Sequence, residues 1–71
     1  MTGDEIRAAQ FRQARRGYNT ADVDAFVEQL AAAADRGEPL AALVRGAAFR
    51  EAKRGYRTSD VDALLDRAAS G

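Results

Sequence analysis

The chain has 71 residues, 11 basic and 11 acidic side chains, and no net formal charge. That length allows one small domain, near the size at which a single apolar core is barely sufficient. Balanced charge argues against a global pull on nucleic acid, and the absence of cysteine excludes disulfides and thiolate metal sites. No run approaches the roughly 18 apolar residues of a spanning helix. Asp4 and Glu5 stand where the positive region of a signal peptide would lie. A cytoplasmic protein is expected.

Thr2-Gly3-Asp4-Glu5 reads as a capping box, with Thr2 at the N-cap and Glu5 three residues later. It predicts a helix through Ile6, Ala9 and Phe11 to about Arg15. Gly17 is the left-handed residue expected to stop it. Arg12, Arg15 and Arg16 then fall in the last turn, where cations complement exposed carbonyls.

Asn19 is expected to cap a second helix, with Asp22 as its capping-box partner. Tyr18 and Val23 have the spacing of a hydrophobic staple. Val23, Phe26, Val27, Leu30, Ala31 and Ala34 mark one apolar face with helical period, ending near Arg36-Gly37. Glu38-Pro39 starts a third helix, because proline suits a first turn. Its stripe is Leu40, Leu43, Val44, Ala47 and Ala48. Gly46 within it costs up to about 1 kcal/mol against alanine, which predicts a close helix contact there. Gly55 stops this helix as Gly17 stops the first. Tyr56 and Val61 repeat the staple. Arg57 replaces Asn19 and cannot cap, so Thr58 is expected to cap and the fourth helix to begin one residue later. Val61, Leu64, Leu65, Ala68 and Ala69 form the fourth face, and Ser70-Gly71 should fray.

The two halves are copies. Phe11 to Phe26 recurs 38 residues later as Phe49 to Leu64, with 11 of 16 positions identical. A repeat of this period marks a supersecondary unit used more than once. The expected fold is all-α: two tandem helix–glycine turn–helix hairpins packed as a small four-helix domain. Residues 1–71 form one domain of two repeats, about 4–36 and 39–70, in a pseudo-two-fold arrangement.

No catalytic constellation is legible. The chain has no histidine and no cysteine, no serine clustered with a base, and no glycine-rich phosphate loop. An enzyme, a cofactor site and a metal site are all unexpected. In Asp22-Val23-Asp24 and Asp60-Val61-Asp62 the paired carboxylates diverge by about 200° on a helix and cannot share an ion. They read as solvated first-turn acids. The same acids would repel phosphates from the second helix of each hairpin, which argues against a helix-turn-helix reader of DNA.

The repeated residues also carry a resemblance. Phe11, Arg16, Gly17, Tyr18, Val23, Asp24 and Phe26, and again Phe49, Arg54, Gly55, Tyr56, Val61, Asp62 and Leu64, resemble the N-terminal motif of the DivIVA family of bacterial cell-division and polarity scaffolds. Ile6 and Val44 match that family's upstream apolar position. The resemblance implies a short helix, an Arg-Gly-Tyr turn that binds membranes through an apolar residue flanked by basic groups, and a long coiled coil. This chain departs in two ways. Arg15 and Lys53 stand where the inserting phenylalanine can be, and Gly37-Glu38-Pro39 ends the second helix before any heptads develop. A long polymerising scaffold is therefore not expected of this chain alone.

The functional expectation is a non-enzymatic interaction module acting by helix-face docking to a protein partner or by self-association, with a homodimer as the simplest form. The alternative is a peripheral adaptor at the inner face of the membrane, holding anionic lipid through Arg15, Arg16, Lys53, Arg54 and Arg57. A second alternative is an accessory domain of a larger protein. Against the lipid reading, the same cations complement helix C-termini. Tyr18 and Tyr56 serve as staples or as exposed recognition aromatics. Phe11 and Phe49 either extend the core or face a partner.

Overall fold

The computed structural model describes residues 1–70 as helix α1 (Gly3–Arg7), strand β1 (Gln13–Tyr18), helix α2 (Thr20–Asp35), helix α3 (Ala41–Arg45), strand β2 (Glu51–Tyr56) and helix α4 (Thr58–Ser70). Each element of the second half begins 38 residues after its counterpart in the first. The repeat read from sequence is thus a helix–strand–helix unit.

The all-α expectation is overturned. The first and third helices cover only five residues each, and the chain beyond them is extended. The two extended segments pair Gln13 with Tyr56, Ala14 with Gly55, Arg16 with Lys53, Gly17 with Ala52 and Tyr18 with Glu51. The partners descend on β2 as they ascend on β1, which is the antiparallel sense. Backbone hydrogen bonds close both ends: the Asn19 N–H donates to the Arg50 carbonyl at 2.7 Å, and the Arg57 N–H to the Arg12 carbonyl at 2.8 Å. Tyr18 also neighbours Tyr56, where the strands cross. The physical reason is cooperative: short helices are marginal in water whatever their composition, whereas a strand from each repeat satisfies the other's backbone groups. Mixed α/β architecture results, with the sheet supplied half by each repeat.

Neither Gly17 nor Gly55 is a left-handed helix stop. Both lie in strands, and the only positive-φ residues among those described are Arg54 at 61° and Gly37 at 71°. Their need for glycine is steric. A Cβ on Gly17 would overlap the Tyr56 carbonyl oxygen, and one on Gly55 would overlap that of Tyr18. Gly46 likewise marks no helix crossing. It is the C-cap of α3, and its Cβ would meet only the Ala42 and Leu43 carbonyls of its own turn at 3.7 Å.

The helix ends are better legible. The Thr2–Glu5 capping box forms as expected. Asn19 caps α2 by accepting the Asp22 N–H at 3.0 Å. The reciprocal half of that box is missing, because the Asp22 carboxylate is engaged elsewhere. The C-terminus of α2 closes on Gly37, with the Gly37 N–H donating to the Ala34 carbonyl and the Glu38 N–H to that of Ala33, both at 3.0 Å. This is the glycine-dependent C-terminal motif. Thr58 is already helical, so α4 starts in register with α2 and not one residue later. Gly71 lies outside the described residues, and Ser70 is still helical.

The core lies between the helices. Ile6, Leu30, Ala31 and Ala68 form its buried cluster, with Met1, Phe26, Val27, Ala34, Leu40, Leu43 and Val44 packed around it. Val23 and Val61, equivalent positions in the two repeats, are likewise buried. Arg7 fastens α1 to α2, reaching Glu28 at 3.1 Å and Asp35 at 2.9 Å. Among the described residues no helix is long and apolar enough to cross a membrane.

Candidate functional site

The motif residues converge where the repeats cross, and every polar contact there is made twice. Arg12, just before β1, holds Asp60 in the first turn of α4: its guanidinium meets Oδ1 at 2.9 Å and its backbone N–H donates to Oδ2 at 2.9 Å. Arg50, just before β2, holds Asp22 in the first turn of α2 in the same way, at 2.9 and 3.1 Å. The Tyr18 hydroxyl donates to Asp62 at 2.9 Å, and the Tyr56 hydroxyl to Asp24 at 2.8 Å. Phe11 packs on Tyr56 with ring centroids 5.2 Å apart, and Phe49 on Tyr18 at 5.1 Å. Phe26 adds an edge-to-face contact to Phe49 at 5.5 Å. Its counterpart Leu64 has no ring, so the second repeat's phenylalanine is the better buttressed.

Each repeat therefore completes the other. Phe11, Arg12, Gly17, Tyr18, Asp22 and Asp24 all find their partners in the second half, and their equivalents find theirs in the first. This explains why the identical positions are kept as a set. The two carboxylates of Asp22-Val23-Asp24 do diverge, yet they are not idle solvated acids. One takes an arginine and the other a tyrosine, while Val23 between them is buried. Arg12 complements no helix terminus but forms a bidentate ion pair, the strong form of such contacts.

The site has a measurable electrostatic signature. The Asp22 and Asp60 side chains retain 24% and 17% exposure, respectively. Hydrogen bonds from the Arg50 side chain and backbone lower the Asp22 pKa to about 2, and Arg12 does the same to Asp60, holding it far below the usual carboxylate range. A depressed folded-state pKa contributes stability that is complete above the unfolded value, near 3.8, and disappears as pH falls through the folded value. The melting temperature should accordingly decline progressively from about pH 4 toward pH 2. Asp22→Asn/Asp60→Asn should start lower at neutral pH and show a flatter acid limb. An acid limb unchanged by the double substitution would contradict this account. Tyr18 and Tyr56 shift the other way, raised chiefly by donation to Asp62 and Asp24.

The sequence-expected contact residues separate into two groups. Arg15, Arg16, Lys53 and Arg54 are exposed on the paired strands, and none of them joins an ion pair among the described residues. Arg57 lies between β2 and α4, where its charge adds to Arg12 in holding the Asp60 carboxyl low. Val23 and Val61 are core, and Gly17 and Gly55 are the buried points of closest approach. Among the described residues no group of three or more carboxylates is placed to hold a metal ion. Sequence reasoning missed Arg12 and Arg50, and cast Asp22 and Asp60 as solvent-facing. The retained signal was the identity of both members of each pair in both copies.

No family model matches the chain, and no curated protein or solved structure shows significant similarity to it.

Proposed function

We propose that the chain is a non-enzymatic binding module whose working surface is the basic crossing of its two strands, applied to an anionic membrane leaflet. The observation that supports this is the division of labour among cations. Arg12 and Arg50 are neutralised by carboxylates of the opposite repeat, while Arg15, Arg16, Lys53 and Arg54 stand exposed on one two-stranded element. The explanation of those four as helix C-terminal charges does not apply, because no helix ends there. Near an anionic bilayer each such residue that faces it contributes about 1 kcal/mol; strand neighbours point to opposite faces, so the paired Arg16 and Lys53 act from one side and make a weak, reversible attachment. The protein would then be cytoplasmic and peripheral at the inner leaflet. Docking by an apolar helix face has less support, since no large apolar side chain is exposed among the described residues.

Sedimentation with phosphatidylserine-containing vesicles tests the proposal. Binding should be strongest at low ionic strength, decline at high salt as charges are screened, and disappear in Arg15→Ala/Arg16→Ala/Lys53→Ala/Arg54→Ala. That variant should keep its helical circular dichroism, because the paired arginines are untouched. A wild-type protein left in the supernatant with anionic vesicles at low salt would remove the membrane function.

A further inference from the structure

We propose that two copies of the chain exchange repeats about the Arg36–Leu40 connection, each first repeat completing the second repeat of its partner. The argument is the reciprocity of the crossing. All of its ion pairs, tyrosine–carboxylate bonds and strand pairings run between repeats: Arg12 to Asp60, Arg50 to Asp22, Tyr18 to Asp62, Tyr56 to Asp24 and β1 to β2. A two-chain form that swaps repeats keeps every one of them. The contacts that fasten each short helix to its own repeat, such as Arg7 to Glu28 and Asp35, are not disturbed. Only the connection changes shape. Arg36, Gly37, Glu38 and Pro39 are exposed, Gly37 takes a φ of 71°, and the space beside it is open. Its one side-chain ion pair is the local Arg36–Glu38 contact at 2.7 Å, and only Leu40 at its end packs on the core. Exchange of identical elements at such a hinge is a low-cost route to dimers. Within one chain the repeats meet at an effective concentration on the order of millimolar, so the exchanged form should gain ground as protein concentration approaches that range. This inference is independent of the membrane proposal, since it concerns which chain supplies each half of the crossing.

Charge complementation tests it. Asp60→Arg sets a second guanidinium against Arg12 within one chain, and Arg12→Asp sets a second carboxylate against Asp60 in another. Each variant alone should melt below wild type. Mixed, the two restore opposite charges at both altered contacts only by exchanging repeats. The expected result is a one-to-one complex of twice the single-chain mass by light scattering, melting above either component. Arg12→Asp/Asp60→Arg in one chain should recover melting without any change of mass, which shows that the charges read each other. A mixture that keeps single-chain mass while this cis double variant recovers would overturn the proposal. Should the variants fold poorly, the wild type decides: single-chain mass at every concentration up to the millimolar range overturns exchange, and a rising dimer fraction supports it.

Discussion

Gly17→Ala should remove a large share of the protein's stability. The added methyl would be placed against the Tyr56 carbonyl oxygen, with the Tyr56 and Gly55 backbones behind it. Backbone cannot swing aside as a flexible side chain can, so the strands must separate at their crossing. Overpacking of this kind costs on the order of 3 kcal/mol. A chain of this length has only about 4–11 kcal/mol of total stability. Gly55→Ala should do the same against the Tyr18 carbonyl. Gly46→Ala is the control, because its nearest neighbours are carbonyls at 3.7 Å and its φ is −88°. There the loss of unfolded-state freedom should leave stability equal or raise it by up to about 1 kcal/mol. Urea unfolding midpoints measure all three. Near-equal midpoints for Gly17→Ala and Gly46→Ala would mean that the strands do not cross as described.

Leu30→Ala should be comparably severe for the opposite reason. Leu30 is completely buried, in the cluster that joins Ile6 of α1 to Ala68 of α4. Its truncation removes apolar contact and leaves a cavity that helices fixed at both ends close only partly, a loss of about 2–5 kcal/mol. The half-buried Leu65 provides the comparison, and its truncation should cost less than half as much. Equilibrium denaturation with an unchanged denaturant slope would confirm that the loss is one of packing and not of compactness in the denatured state.

Much of the local chemistry was readable from sequence, the Thr58 cap and the Glu38-Pro39 helix start excepted, and the non-local chemistry was not. The Thr2 cap, the Asn19 cap and the Gly37 terminus depend on residues within a few positions of one another, and each forms. The strands fail that condition. Gln13-Ala14-Arg15-Arg16 contains good helix formers, and nothing adjacent to it says that its partner is Glu51-Ala52-Lys53-Arg54. Gly17 illustrates the difficulty: glycine before a new helix ordinarily signals a left-handed stop, whereas here it signals a backbone passing too close for a side chain. Arg12 and Asp60 stand 48 positions apart, beyond any window in which charge spacing is normally interpreted. What did betray the arrangement was the repeat itself. Arg and the first Asp, Tyr and the second Asp, are retained in both copies, as reciprocal partners must be.

The reciprocity also bears on how the chain acquires its shape. While residues 1–37 emerge during synthesis, β1 has no strand to pair with, and Arg12, Tyr18, Asp22 and Asp24 have no complement within reach. The crossing can close only after Asp62 has been added. Contacts so distant along the chain slow folding relative to a bundle of local hairpins, and until then an unpaired edge with two aromatic rings waits in the open. A second ribosome on the same message would hold the matching half nearby.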